Sequence, residues 1–158
     1  MKHLTILVPN GQNNLSSIVG PFKIFNRANA CYEQAGRDKV FEIELVGANP
    51  REDFYHGLFT VNTQKNIHEI DQTDLIIIPS LNHNYEQAIA NNEAMVSWIY
   101  NHYKAGTEIA SICTGAFLLA ASGILDGKQC ATHWAAAENF RKMFPRVYLQ
   151  PDQLITDE

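Results

Sequence analysis

The sequence has few cysteines, no long hydrophobic run and no excess of basic residues. Its three cysteines, Cys31, Cys113 and Cys130, are an odd number without metal-like spacing, which indicates neither a disulfide framework nor a zinc site. The first apolar run, residues 4–8, is too short for a signal-peptide core or a membrane span. Twelve Lys and Arg against seventeen Asp and Glu give a net charge of −5, and no basic stripe could neutralise phosphates. These absences predict a cytoplasmic chain that does not itself bind nucleic acid.

The residues that are present are sufficient for one globular domain. A length of 158 residues, with 46% apolar and 18% charged residues, fits a single hydrophobic core. Apolar segments of strand length alternate with helical patterns, which predicts an α/β fold: a doubly wound, mainly parallel sheet with helices on both faces. Residues 75–78 read Leu-Ile-Ile-Ile and predict a central strand, whereas the alternation at 41–46 predicts an edge strand or a half-covered one. A patch at 58–66 resembles a short hairpin, and the spacing of Ile18 and Phe22 predicts the inward face of the first helix.

The most informative segment is an apolar strand that runs into a cysteine and then directly into a helix. The predicted strand covers 108–112, Cys113 follows it, and 116–121 is strongly helix-forming. This order places the thiol on a tight turn at the carboxyl edge of the sheet, where doubly wound folds bind their ligands. A helix amino terminus there favours a thiolate or a bound anion, and Gly115 leaves room for a close approach. The alternative is that Cys113 is a small buried core residue.

A second candidate, His133, follows a short predicted strand at 129–132. If this strand lies beside the cysteine strand, their carboxyl ends meet and His133 approaches Cys113. The alternative is a histidine that serves only packing, with Trp134 beside it in the core. The remaining histidines show no metal-ligand spacing, and neither a metal nor a cofactor is predicted: His3, His56, His68, His83 and His102.

Several sequence runs resemble the PfpI/ThiJ superfamily, also called class I glutamine amidotransferase-like, and within it most closely the amino-terminal domain of AraC-type transcriptional regulators. The runs are Cys113-Thr114-Gly115-Ala116-Phe117, Ala121-Ser122-Gly123-Ile124-Leu125-Asp126-Gly127, Ala131-Thr132-His133-Trp134, Gly20-Pro21-Phe22-Lys23-Ile24-Phe25, Phe144-Pro145-Arg146-Val147 and residues 152–158. The resemblance implies a flavodoxin-like fold with a cysteine elbow. It further implies one domain over 1–158 that lacks its last strand and helix, a homodimer, and a carboxyl-terminal helix-turn-helix domain outside this chain that binds DNA.

Three departures from the enzymes of the superfamily bear on catalysis. Ser17 stands where the resemblance implies a carboxylate that directs the cysteine or a water, and a hydroxyl is no general base near neutral pH. Thr114 replaces a histidine that many members place after the cysteine. Ser80 and Leu81 replace a Gly-Gly pair that brings backbone close to the substrate.

These departures favour a non-catalytic, ligand-sensing domain of an AraC-type regulator. The predicted ligand is a small polar or amphipathic metabolite. Its predicted pocket is formed by Ser17, Ser80, Leu81, Cys113, Thr114, His133 and Trp134. The alternative is a cysteine-dependent hydratase, glyoxalase-like or amidase-like enzyme with Cys113 as nucleophile and His133 as a weaker catalytic candidate. A third reading is a redox switch at Cys113.

Overall fold

The computed structural model describes residues 1–11 and 13–158 and shows an α/β architecture. The strands are β1 (Lys2–Val8), β2 (Phe41–Gly47), β3 (Arg51–Phe54), β4 (Phe59–Asn62), β5 (Lys65–Asn66), β6 (Leu75–Ile78), β7 (Glu108–Ser111), β8 (Gln129–Cys130) and β9 (Tyr148–Leu149). The helices are α1 (Ser16–Gln34), α2 (Tyr85–Ala90), α3 (Glu93–Lys104), α4 (Ala116–Ala121) and α5 (Ala137–Met143), with single 3-10 turns at Ile67–Glu69, Cys113–Gly115 and Trp134–Ala136.

The main sheet has the strand order β5-β2-β1-β6-β7, and all its pairs are parallel. Side chains that alternate along β1 enter two different cores. Ile6 packs in one core with Ile18 of α1, whereas Leu7 packs in the other with Ile99 of α3 and Phe117 of α4. Burial on both faces explains why β6 is a continuous apolar run and why β1 is apolar from Leu4 to Val8 apart from Thr5. The predicted fold class, a mainly parallel sheet with helices on both faces, is therefore confirmed.

One detail of the sheet and one of the first helix differ from the sequence prediction. The central strand is β1, while β6 lies one position away between β1 and β7, because an apolar run reports burial on both faces and not the strand order. In α1, Phe22 is exposed and Pro21 is buried. The inward face also uses a polar residue, Asn29, whose side-chain amide bonds the backbone at Val40 and Phe41.

Two small sheets lie outside the main one. The hairpin β3–β4 is antiparallel, and its second strand falls within the predicted patch while its first strand, β3, was not predicted. The strand β8 pairs with β9 and not with β7, so the expected neighbour of the cysteine strand is wrong. Within the described residues, no helix combines the length and the apolar character that a membrane crossing requires.

The turn after β7 requires a glycine, which gives a first prediction. A Cβ on Gly115 would lie 2.6 Å from the carbonyl oxygens of both Ile78 and Pro79, much closer than packed atoms approach. We expect Gly115→Ala to lower the free energy of unfolding by about 2 kcal/mol or more, as measured by urea denaturation. Gly20→Ala is the matched control, because a Cβ at Gly20 meets nothing within 4 Å, and its effect should stay within about 1 kcal/mol. Equal stability of the two variants would contradict this account.

Candidate functional site

The backbone turns sharply at Cys113, and the turn presents the cysteine to solvent. Cys113 has a left-handed φ of 55°, a conformation that costs a non-glycine residue of order 1–2 kcal/mol. The amide of Ile112 donates to the carbonyl of Ile78 at 2.9 Å, and the amide of Gly115 donates to the carbonyl of Ile112 at 2.8 Å. Cys113 is exposed, whereas Thr114 and Gly115 are buried. The predicted elbow is thus present geometrically.

Directly beneath the elbow, the Thr114 hydroxyl fastens the turn to the segment after β6. Its oxygen accepts a hydrogen bond from the amide of Leu81 at 2.9 Å and donates to the carbonyl of Leu81 at 2.7 Å. The hydroxyl of Ser80 lies 2.8 Å from the same oxygen. All three residues are buried, so the hydrogen-bonding capacity of Thr114 is consumed inside the protein.

Ser17 extends this network to the start of α1. Its hydroxyl donates to the carbonyl of Asn14 at 2.6 Å and accepts from the amide of Ser80 at 2.9 Å. Nothing in residues 1–11 and 13–158 hydrogen-bonds the sulfur of Cys113. Ser17 therefore serves the backbone and does not direct the thiol.

A groove of about 890 Å³ opens on the other side of the elbow. One wall is β7 with Cys113, and the other walls come from the segment after β8 and from the end of the chain. The lining comprises residues 109–113, Leu119, Leu125, residues 129–134 and residues 151–158. Its charged members are all acidic: Asp152, Asp157 and Glu158.

Of the seven predicted pocket residues, three line this groove: Cys113, His133 and Trp134. The other four, Ser17, Ser80, Leu81 and Thr114, are gathered at the same sheet edge but lie in the buried network instead of the lining. They lie behind the elbow because Thr114 points inward when Cys113 points outward. The structure thus divides the predicted pocket into an exposed part and a supporting part.

His133 and Trp134 reach the groove by a route that the sequence analysis did not foresee. The hydroxyl of Thr132 donates to the carbonyl of Cys113 at 3.1 Å, which ties the segment after β8 to the elbow without any pairing of β8 with β7. The expectation that Trp134 is a core residue is wrong, since 76% of it is exposed. Its ring stacks on His133 with centroids 5.5 Å apart, and the Nδ1 of His133 accepts from the amide of Ala135.

The three cysteines have different surroundings. Cys130 is buried beneath the groove, and desolvation raises the pKa of its thiol to about 11. Cys31 is exposed on α1, far along the chain from the elbow. Cys130 therefore differs from the other two cysteines because its thiol is buried. Cys113 and Cys31 are both exposed, and they differ in that Cys113 lies on the strained turn.

Two features of the structure are not visible in the sequence, one at the groove and one at the hairpin. Residues 151–158 form a wall of the groove although their polar sequence shows no periodic pattern. Glu52 of β3 accepts a hydrogen bond from the amide of Gly11 at 2.9 Å, and partial burial raises the pKa of its carboxyl. Glu52 does not line the groove. Both contacts join segments that are distant in sequence, so no local pattern could have revealed them.

Comparison with known proteins gives consistent similarities. The sequence model of the DJ-1/PfpI family matches residues 3–157. The HTH-type transcriptional regulator CdhR of Pseudomonas aeruginosa is 24% identical over 131 residues, which cover 83% of this chain but 36% of the regulator. The chain thus spans about a third of that relative's length.

Solved structures show the same architecture. A putative transcriptional regulator from Vibrio parahaemolyticus superposes with a TM-score of 0.84 at 25% identity, covering 99% of this chain and 80% of the other. An AraC family transcriptional regulator from Pseudomonas putida has a TM-score of 0.71 at 16% identity, with coverages of 99% and 79%. At this identity the second likeness concerns the fold alone.

The thiol surroundings predict an order of alkylation. In the native protein at neutral pH we expect Cys113 to be labelled first and Cys31 second, because the elbow holds the first thiol outward on a fixed turn. Cys130 should stay unlabelled until the protein unfolds, because its thiol is buried and stays protonated. Peptide mass spectrometry after timed iodoacetamide treatment measures the order, with Cys31→Ser as the control. Faster labelling of Cys130 than of Cys113 would contradict the elbow geometry.

The Thr114 contacts predict a stability cost for removing one hydroxyl. Thr114→Val keeps the volume but leaves the buried amide of Leu81 and the hydroxyl of Ser80 without that partner, so we expect a loss of about 1–3 kcal/mol in unfolding free energy. Thr114→Ser keeps the hydroxyl and should lose clearly less. Chemical denaturation of both variants gives the comparison. If Thr114→Val had the same free energy of unfolding as wild type, the network would contribute nothing to stability.

Proposed function

The chain belongs to the DJ-1/PfpI family, and from that premise we propose that it is a ligand-sensing domain of an AraC-type transcriptional regulator and that it is not catalytic. The observation that carries the proposal is the arrangement at the elbow. Cys113 faces an open groove, while the groups behind it are bound to backbone. Such a site can bind a small molecule, and no hydrogen bond within the described residues reaches the thiol of Cys113.

Ser17 cannot supply the proton acceptor that a cysteine nucleophile needs. A cysteine nucleophile reacts as the thiolate and depends on a neighbouring base or an equivalent proton acceptor. The Ser17 hydroxyl donates a hydrogen bond to the carbonyl of Asn14 and accepts one from the amide of Ser80, and within the described residues it makes no hydrogen bond to Cys113. A serine hydroxyl is in any case no base near neutral pH.

The groove has the dimensions and surface of a small-molecule site. Its volume of about 890 Å³ falls in the usual range of ligand pockets, which combine an apolar wall with a few polar groups. Leu119, Leu125 and Trp134 offer apolar surface, and Thr132 and His133 offer polar atoms. The carboxylates at its end repel anions. These features fit a polar or amphipathic metabolite that carries no strong negative charge.

The regulatory part of the proposal draws on the relatives. The matched proteins from Pseudomonas aeruginosa and Vibrio parahaemolyticus are named as transcriptional regulators, the second of them putatively, and both are longer than this chain. We place DNA binding in a helix-turn-helix domain outside residues 1–158, in agreement with the net charge of −5. The protein works in the cytoplasm as a homodimer on paired DNA sites.

The competing function is cysteine-dependent catalysis, as a hydratase, a glyoxalase-like or an amidase-like enzyme. The exposed thiol and the left-handed φ of Cys113 favour it, because a nucleophile elbow requires both. The absence of a hydrogen-bonded base among the described residues stands against it. Reversible oxidation of Cys113 requires no base and remains the third candidate.

The sensing proposal predicts ligand-dependent stabilisation that depends on the groove. In a thermal-shift screen of a metabolite library, we expect at least one uncharged or zwitterionic compound to raise the melting temperature of the wild-type chain. Trp134→Ala should remove that shift while the unliganded protein stays stable, because the ring is mostly exposed. Tyr100→Ala, at an exposed aromatic residue of α3, is the matched control and should respond like wild type. A shift that Trp134→Ala leaves unchanged would place the ligand elsewhere.

Two further assays on the wild-type chain test for catalysis and for DNA binding. Isocyanides, dicarbonyls and simple amides should show no turnover above that of the Cys113→Ala variant. A mobility-shift assay at low salt should show no binding of DNA by residues 1–158. Turnover that Cys113→Ala abolishes would make the enzyme reading correct, and tight DNA binding would contradict the domain assignment.

A further inference from the structure

The segment after β1 contains the only Asn-Gly pair of the sequence, Asn10–Gly11. Such a pair is chemically labile, because the amide nitrogen of the glycine can attack the side-chain carbonyl carbon of the asparagine, and glycine has no Cβ to crowd the approach. A new bond from this nitrogen to Cγ closes a succinimide ring. The bond from Cγ to Nδ2 breaks, and Nδ2 leaves as ammonia with the proton that the attacking amide gives up. Water then opens the ring to aspartate or to isoaspartate.

Hydrogen bonds restrain both the main chain and the side chain of Asn10. The side chain of Asn92, which is 2% exposed, accepts from the main-chain amide of Asn10 at 2.7 Å and donates to its carbonyl at 3.0 Å. The side-chain oxygen of Asn10 accepts from Asn49 at 2.9 Å, and its side-chain nitrogen donates to the carbonyl of Asn91 at 3.3 Å. The ring closes only when Cγ and the next amide nitrogen turn toward each other, so these bonds oppose the reaction.

The attacking nitrogen is held by the hairpin β3–β4. The amide of Gly11 donates to the carboxylate of Glu52 on β3 at 2.9 Å, so a turn of this amide toward Asn10 breaks a charge-assisted hydrogen bond. Gly11 has a left-handed φ of 88°, which a residue with a Cβ rarely adopts. The turn that brings the amide to Glu52 therefore favours the same residue that makes the pair labile.

The hairpin lies outside the main sheet and has limited support. Among the described residues, β3 and β4 pair only with each other, and an isolated two-stranded ribbon is marginally stable in water. Its contact with the main body includes Phe54 and Val61, which pack with Ile18 of α1. Three large side chains near its turn are exposed: Tyr55, Leu58 and Phe59. We therefore expect the hairpin to open locally, at a lower free-energy cost than global unfolding.

We propose that Asn10–Gly11 is a modification site protected by the hairpin: it stays intact while Glu52 binds the Gly11 amide, and it forms succinimide and then aspartate or isoaspartate when the hairpin opens. The modified residue cannot restore the original contacts. It has no side-chain N–H for the carbonyl of Asn91, and it adds a negative charge beside the bond from Gly11 to Glu52. Isoaspartate also lengthens the main chain before Gly11 by a methylene group. Opening of the hairpin is reversible, and the modification makes its consequence permanent.

Timed incubation at neutral pH tests the protection, with peptide mass spectrometry to separate asparagine, aspartate and isoaspartate at this position. Native wild type should be modified at least about tenfold more slowly than the same chain unfolded in urea. Glu52→Ala removes the acceptor of Gly11 and should raise the native rate at least about threefold, whereas Glu52→Gln keeps an accepting oxygen and should stay near wild type. Arg51→Ala, at the exposed neighbouring position of β3, is the matched control. A native rate equal to the unfolded rate, or a Glu52→Ala rate equal to that of wild type, would overturn the proposal.

Hydrogen exchange of the wild-type chain tests the hairpin as the protecting element without any substitution. We expect the amide of Gly11 to exchange together with the amides of β3 and β4 and faster than those of β1, because the hairpin opens while the main sheet stays folded. Exchange of Gly11 only together with β1, at the rate of global unfolding, would contradict the role of the hairpin. Neither measurement involves the ligand or Cys113, so failure here is distinct from failure of the sensing proposal.

Discussion

The site depends on how closely the turn after β7 approaches the end of β6. Gly115 lies so near the carbonyls of Ile78 and Pro79 that no larger residue fits, and the Thr114 hydroxyl bonds both the amide and the carbonyl of Leu81. Together these contacts hold Cys113 in a left-handed conformation that it would not adopt in a free chain. Because the turn after β7 lies this close to the end of β6, the thiol of Cys113 points outward and the side chain of Thr114 points inward.

The same contacts hold the elbow in place without the help of a base. The strained backbone at Cys113 is held by buried hydrogen bonds that run through Thr114, Ser80 and Ser17, and none of them requires a base. In a catalytic version of such a turn, part of this hydrogen-bonding capacity would serve the thiol. Here the described hydrogen bonds all go to backbone and hydroxyl partners, and none of them reaches the thiol of Cys113.

Local sequence patterns predict the elements correctly where they report burial, and they fail where contacts join segments that are distant in sequence. Residues 75–78 and 116–121 match β6 and α4, since continuous apolar runs and helix-forming residues are local properties. The pairing of β8 with β9 could not be read, because two-residue strands carry no periodicity. Trp134 was placed in the core on its residue type, yet its environment depends on a bond from Thr132 to the carbonyl of Cys113. The predicted site residues share one edge of the sheet. The backbone turn at Cys113 determines which of them line the groove and which lie in the buried network.

Hydrogen bonds connect the hairpin to the elbow through the segment between β1 and α1. Glu52 of the hairpin accepts from the amide of Gly11. Further along this segment, Asn14 donates its amide to the carbonyl of Ser80 and accepts from Ser17. The segment between β1 and α1 is thus bonded to the hairpin at Gly11 and, at Asn14, to both Ser80 and the Ser17 hydroxyl of α1. Coupling between two surfaces requires an element with two arrangements, which spatial continuity alone does not supply. The segment after β1 is where that element would have to lie, because it is the one part of the described chain bonded to both the hairpin and the network beneath the elbow.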